Sequence, residues 1–173
     1  MAEKMIDLED LLFAQLCDLY SAETQLIAAL PDMAEKATDK QLVKAIKDHL
    51  KETEGQKKRL DKAFKALGKE VEEETCLAMQ GLIKEAKHFM KQPASPEVRD
   101  AGIIAIAQKV EHYEISGYGT AANFAEQLGH SDVASLLRET EAEESAADSK
   151  LTQIATGNVN LKAEHAGEAR AAK

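Results

Sequence analysis

Hydrophobic residues recur every three or four positions along most of the chain, and strand-like alternation is nearly absent. This spacing places apolar side chains on one face of an α-helix. It predicts a first helix over about residues 6–30, which Pro31 kinks or ends. A second helix follows, with Asp39 as its N-cap and Gly68 just past its end. A shorter apolar pattern over residues 76–90 predicts a third helix.

The segment QPASPEV is the clearest break in the periodic pattern. Ser95 followed by Pro96 is typical of an N-cap and a first-turn proline, so a fourth helix is predicted from there to about Leu128. Gly129 ends that helix, and Ser131 is expected to cap a fifth helix that reaches the residues around Ile154.

Four long helices and one short helix fit an all-α, ferritin-like four-helix bundle. Helices 1 and 2 form one hairpin and helices 4 and 5 form another, while residues 69–96 make a long crossover that contains the short third helix. The crossover is long enough to return to the other end of the bundle. We expect residues 1–157 to form the helical bundle and residues 158–173 to form a flexible polar tail.

Composition narrows the class of protein. A chain of 173 residues with 44% hydrophobic residues can bury one full core. Its net charge of −9 and its 4% aromatic content argue against nucleic-acid and anionic-membrane partners. The start of the chain lacks a signal-peptide pattern and no apolar run is long enough to span a bilayer, so we expect a cytoplasmic protein. Cys17 and Cys76 form no CxxC motif, which excludes a rubredoxin centre, a zinc ribbon and a thioredoxin-type pair.

Acidic residues interrupt the apolar stripe of every long helix, although buried glutamates are rare without partners. One acid per helix lies about 15 residues from its hairpin tip, so the four acids are expected to meet at mid-height. Buried carboxylates raise one another's pKa and need protons, cations or a metal. Oxygen ligands with a histidine suit iron or manganese, and facing carboxylates can bridge two ions. The candidate ligands are Glu23 in helix 1, His49 and Glu52 in helix 2, Glu111 and Glu114 in helix 4, and Glu143 and Glu144 in helix 5.

The motifs DLYSAETQL, HLKETEGQ, QKVEHYEISGYGT and EQLGHSDVASLLRETEAEE resemble the YciE/YciF family of bacterial stress-associated proteins. The resemblance extends from about residue 5 to about residue 160. That family is similar in fold to rubrerythrin and ferritin. The resemblance implies a helical homodimer with a di-metal centre and a link to bacterial stress, and it implies no settled reaction.

The chain departs from the ferritin-like ligand pattern, in which a Glu on one helix faces Glu-x-x-His on the next. Gly55 stands three residues after Glu52, whereas His49 stands three residues before it. The pair Glu111 and Glu114 resembles the paired glutamates of rubrerythrin. The site is therefore poor in histidine. Because rubredoxin cysteines are lacking, a partner or a small reductant would have to supply electrons.

Three functions remain open from the sequence. The first is a di-iron or di-manganese stress protein that reduces peroxide or oxidises ferrous iron, with Tyr118 as a nearby hydrogen-bond donor. The second is a non-catalytic dimeric scaffold whose acidic centre is protonated or paired with Arg59. The third is metal sequestration without turnover. Leucine and methionine on the third helix mark one candidate dimer interface.

Overall fold

The computed structural model describes residues 5–167, and this part of the chain is helical without any strand. The expectation of an all-α protein with five principal helices is confirmed. The elements are α1 (Leu8–Lys36), α2 (Lys40–Ala66), α3 (Leu77–Met90), α4 (Pro96–Gln127) and α5 (Ser131–Ile154), followed by a π-helical turn (Ala155–Val159) and α6 (Asn160–His165). None of the helices in residues 5–167 is long and apolar enough to cross a membrane.

The predicted helix signals act at both ends of α2 and α4. The side chains of Asp39 and Ser95 accept hydrogen bonds from backbone N–H groups in the first turns of these helices. Gly68 and Gly129 follow the helix ends with φ angles of +66° and +83°, a conformation that glycine adopts without strain. These local signals therefore set where α2 and α4 begin and end.

Pro31 does not end α1, which continues to Lys36. Proline cannot donate the helical hydrogen bond, but Met33 and Ala34 beyond it are buried in the core. The burial of these apolar side chains offsets the missing bond.

Two expectations about the C-terminal part also differ from the structure. Ser131 is the first residue of α5 rather than its cap, and no side-chain cap bond is present there. Residues 158–165 of the expected polar tail are helical, and Val159 among them is only 2% exposed and joins the core. A π-helical turn adds one residue to the helix and changes which face points inward. The rest of the expected tail, residues 168–173, lies outside the described residues.

The four long helices close into a ring in which α1 contacts α2 and α4, and α5 contacts the same two helices. The tip of the first hairpin, at Thr38, lies beside Asp100 near the start of α4. At the other end, His130 in the second tip lies 3.6 Å from Glu9 near the start of α1. The two tips therefore lie at opposite ends of the ring, and neighbouring helices run antiparallel.

The crossover between the hairpins packs α3 against α1 and α4. The Phe89 ring lies directly over Gly102, where an added Cβ would stand 1.9 Å from the ring. Leu77 is 75% exposed, whereas Met79 is fully buried. We expected leucine and methionine to be exposed on this helix. Leu77 is exposed, but Met79 belongs to the core.

The apolar core is divided into two clusters by a polar layer at mid-height. One cluster, towards the first hairpin tip, includes Leu30, Ile46 and Leu151. The other, towards the second tip, includes Leu16 and Leu137. The buried polar residues that lie between them are Glu23, His49, Thr53, Gln56, Glu111, Glu114, Thr140 and Glu144.

Asp100 ties the first hairpin tip to α4, and we expect its loss to destabilise the fold. Its carboxylate is 4% exposed and accepts bonds from Thr38 N (2.7 Å), Thr38 Oγ1 (2.6 Å) and Asp39 N (2.8 Å). Asp100→Ala should lower the free energy of unfolding by about 2 kcal/mol, because it removes three hydrogen bonds to one carboxylate. Urea unfolding measures this. Glu54→Ala, an equal charge change at an exposed helical position, is the control; equal effects of the two variants would contradict the assignment.

Candidate metal centre

Four side chains in the polar layer converge on one point. His49 of α2, Glu111 and Glu114 of α4 and Glu144 of α5 each offer a ligand atom, and these atoms lie within 4.8 Å of one another. Their exposed fractions are 7%, 3%, 1% and 0%. Glu111 and Glu114 share one face of α4 because residues three apart are neighbours on a helix. We refer to these four residues as the central cluster.

The central cluster leaves most of its polar atoms without hydrogen-bond partners. Both ring nitrogens of His49, both oxygens of Glu114 and one oxygen each of Glu111 and Glu144 are buried and unpaired. His49 Nε2 lies 3.5 Å from Glu111 Oε1 and 4.0 Å from Glu144 Oε2. Buried polar atoms in proteins are rarely left unpaired. Three carboxylates and an imidazole at this spacing are a donor set that fits iron or manganese.

Glu23 of α1 lies beside the central cluster, although it is not one of the four converging residues. It is fully buried, accepts a hydrogen bond from the Tyr118 hydroxyl at Oε1, and has no partner at Oε2. Burial raises the pKa of Glu23 to about 8, and the Glu144 carboxylate adds to this effect while the Tyr118 hydroxyl opposes it. Glu23 therefore belongs to the same electrostatic unit as the cluster.

The pKa values of the other buried acids rise for the same reason. Burial is the main cause of the raised pKa of Glu111, Glu114 and Glu144. Neighbouring carboxylates raise the pKa of Glu111 and Glu114 further. Burial also raises the pKa of Tyr118, so its hydroxyl stays protonated and donates to Glu23. Without a cation, the cluster must hold protons at neutral pH.

Glu52 was expected to face inward, but in the structure its side chain lies towards the surface. Its side chain is 52% exposed, and its Oε2 lies 3.7 Å from His49 Nδ1 at the edge of the cluster. The inward face of α2 instead follows His49, Thr53 and Gln56, which are all buried. Adjacent residues on a helix point about 100° apart, so Thr53 and Glu52 cannot both face the core.

Glu143 is held away from the cluster by Arg59. Arg59 donates from Nη1 to Glu143 Oε2 and from Nη2 to Glu143 Oε1, each at 2.9 Å, and it also contacts Glu139 at 2.7 Å. This two-pronged geometry is the strongest that arginine forms with a carboxylate. The sequence suggests Arg59 as a neutralising partner for a buried acid, but the carboxylates that it contacts are those of the more exposed Glu143 and Glu139.

Gln56 also belongs to the site, although the sequence pattern did not mark it as a functional residue. Its amide Nε2 donates to Glu144 Oε1 and, at 3.1 Å, to Glu143 Oε2. The bond orients the Glu144 carboxylate towards the cluster. Its position on the inward stripe of α2, between Thr53 and Leu60, was the signal that could have identified it.

The fold and the site together define an all-helical protein with a buried glutamate–histidine cluster that could hold a metal. The chain belongs to the family described as Domain of unknown function (DUF892), whose model matches residues 7–164. Protein YciF of Escherichia coli (strain K12) is 47% identical over 162 residues, which cover 93% of this chain and 98% of that protein. The expected kinship with the YciE/YciF stress proteins is confirmed.

Solved structures agree with this assignment. The crystal structure of the E. coli stress protein YciF matches with a TM-score of 0.87 and 46% identity, covering 90% of this chain and 99% of that one. YcfI of Rhodopseudomonas palustris, described as a candidate structural protein, matches with a TM-score of 0.85 and 45% identity. The match covers 88% of this chain and 97% of that one. A protein from Xanthomonas campestris shares the fold, with 16% identity and a TM-score of 0.74. The match covers 94% of this chain and 99% of that one.

The raised pKa values predict an unusual pH dependence of stability in metal-free protein. In the unfolded chain these acids ionise near their ordinary value of 4.5, whereas folded Glu23 keeps its proton up to about pH 8. Between these values the folded state binds more protons, so stability falls as pH rises. With a chelator present, the free energy of unfolding should fall by at least ~1 kcal/mol from pH 5.5 to pH 8, or about 2–4 °C in Tm.

Thermal unfolding at the two pH values measures this effect. Glu111→Gln combined with Glu114→Gln is the matched variant, because it keeps the side-chain shape and removes two of the titrating groups. Its pH dependence should be clearly smaller than that of the wild type. A wild-type Tm that stays constant or rises over this range would show that the acids are ionised in the folded state.

Proposed function

We propose that this protein is a ferritin-like metalloprotein of the bacterial stress response that binds iron or manganese at the central cluster. The observation that supports this most is the set of unpaired buried ligand atoms on His49, Glu111, Glu114 and Glu144. Antiparallel long helices with one long crossover are also the arrangement of ferritin-like proteins, whose metals lie in the core between the helices.

In this proposal the central cluster holds one ion, and Glu23 provides a ligand for a second ion beside it. Iron or manganese, when bound, would pass electrons to peroxide or dioxygen, and these electrons would come from a reductant or from ferrous iron, which is thereby oxidised. Tyr118 keeps Glu23 in position through its hydroxyl, and Gln56 does the same for Glu144. Glu52 would reach an ion only after its side chain turns inward from the surface.

A structural role is the second candidate function. The buried acids have raised pKa values and can stay neutral by holding protons, so the fold does not require a metal. The R. palustris relative, 45% identical, is itself described as a candidate structural protein. Sequestration of metal without turnover is the third candidate, and it would use the same ligands as the first.

We further propose that the protein acts as a homodimer and receives electrons from a small reductant or a partner protein. The exposed Leu77 at the start of α3 is one apolar contact that a second copy could cover. The chain contains no CxxC motif for a built-in rubredoxin centre, so the electrons for a redox cycle have to come from outside.

Metal analysis separates the metalloprotein from the scaffold. Protein purified without an affinity tag and loaded anaerobically with ferrous or manganous ion should hold about two ions per chain by mass spectrometry. Glu114→Gln combined with Glu144→Gln should lose this metal, because it replaces charged ligands with neutral amides of the same shape. Glu143→Gln, next to the cluster but paired with Arg59, should keep it. Wild-type protein that takes up no metal would refute the proposed centre.

Peroxide consumption separates catalysis from sequestration. Protein loaded with iron or manganese and supplied with a small reductant should consume many equivalents of hydrogen peroxide per chain. The Glu114→Gln and Glu144→Gln double variant, treated in the same way, should show only the rate of buffer with free metal. Metal that stays bound while peroxide is consumed no faster than in that control would favour sequestration.

A further inference from the structure

A cavity of about 300 Å³ lies beside the central cluster, on the side of the first hairpin tip. Its inner end is formed by His49 and Glu111. Residues from all four long helices line it, and its rim lies between α2 and α5. Most of the wall is apolar and is built by Leu30, Met33, Ile46, Ala107, Ala147 and Leu151.

The cavity is much larger than a peroxide or a dioxygen molecule requires. Well-packed cores contain few voids that are larger than one water. A dry cavity of about 150 Å³ already accepts benzene, so the space here fits a molecule of roughly ten non-hydrogen atoms. The volume is also within the range of small-molecule sites, which begins at about 300 Å³. An apolar wall of this size therefore indicates a site for an organic molecule.

The inner end of the cavity offers polar atoms that have no hydrogen-bond partner in the metal-free protein. His49 is 7% exposed, and neither of its ring nitrogens has a hydrogen-bond partner. Glu111 Oε2 is also buried and unpaired. A hydroxyl group can donate to one of these groups and accept from the other. Such a group on a bound molecule would satisfy atoms that are costly to leave unpaired.

The cavity disfavours charged groups of either sign. At its rim the carboxylates of Asp48 and Glu143 are each paired with a basic side chain, and Lys150 offsets the charge of Glu52, so the rim itself carries little net charge. The whole chain carries a net charge of −9, and a field of this sign repels carboxylates and phosphates. A cation would be attracted, but its charge would have to be desolvated against an apolar wall. An uncharged polar group avoids both costs.

We propose that this cavity binds a small apolar molecule that carries one uncharged hydroxyl or hydroperoxyl group, with that group against His49 and Glu111. Binding depends on the shape and polarity of the chain alone and does not require a metal. If the proposed metal centre is filled, His49 and Glu111 would bind the ion, and the polar group at this end of the cavity would lie beside it. The cavity then determines which organic molecules reach the centre.

Titration of metal-free protein with 2-naphthol tests the proposal. The chain has no tryptophan, so naphthol fluorescence can be read with little interference from the protein. At pH 7 we expect saturable binding with one site per chain. Naphthalene, which lacks the hydroxyl, and 2-naphthoate, which carries a negative charge, should each bind at least about tenfold more weakly, the ratio that corresponds to ~1.4 kcal/mol.

Two variants locate the binding site. Ala147→Phe fills the cavity from its half-buried wall position and should weaken naphthol binding at least about tenfold. Ala142→Phe, at an exposed position of α5 that does not line the cavity, is the matched control and should bind as the wild type does. Asp48→Lys changes the rim charge without entering the cavity, and it should reduce the discrimination against 2-naphthoate.

The outcomes distinguish this inference from the proposed metal function. Equal affinity for naphthol and naphthalene, tighter binding of 2-naphthoate, or the absence of saturable binding would each overturn it. If Ala147→Phe does not fold, the Asp48→Lys result decides, because unchanged discrimination against 2-naphthoate would show that the ligand binds away from this rim and would overturn the inference. Naphthol binding without metal uptake would refute the metal centre alone, and metal uptake without naphthol binding would refute only the cavity site.

Discussion

Acids cannot remain ionised and unpaired in a dry core, and this constraint governs the middle of the protein. Three glutamates approach one histidine within 4.8 Å, between two apolar clusters. Protons or a cation must neutralise them. The hydroxyl of Tyr118 and the amide of Gln56 support individual carboxylates by hydrogen bonds, but neither supplies a charge. Arg59, which does carry a charge, is committed to Glu143 at the edge of the layer.

The polar layer links stability to function. Apolar side chains of similar size in place of buried charged groups are often neutral or stabilising, so the layer costs the metal-free fold stability. A cation that binds only the folded state returns stability through mass action. The two apolar clusters and the Asp100 tie at the first hairpin tip hold the helices in register on either side of this weak layer. The scaffold can therefore keep the acids together before any ion arrives.

The two sides of the polar layer are not equivalent. On the side of the second hairpin tip, the fully buried Tyr118 closes the layer against a tightly packed cluster. On the side of the first tip, His49 and Glu111 border a cavity of about 300 Å³. Molecules that approach the cluster would therefore meet the His49 side first. The net charge of −9 on the chain disfavours the approach of anions to this side.

The sequence by itself determined the five principal helices, the caps and breaks at Asp39, Gly68, Ser95 and Gly129, the two hairpins and the presence of buried acids in the stripes, because these follow from local periodicity and backbone chemistry. Only the tertiary structure decided which acids face inward. Glu52 and Thr53 are neighbours on α2, and the packing of α2 against α1 and α5 turns Thr53 to the core and leaves Glu52 half exposed. Similarly, no local pattern shows that Arg59 on α2 would meet Glu143 on α5, or that Asp100 would bind the first hairpin tip. Such contacts depend on the rotation and height of whole helices, which are fixed by the packing of distant side chains rather than by neighbours in the chain.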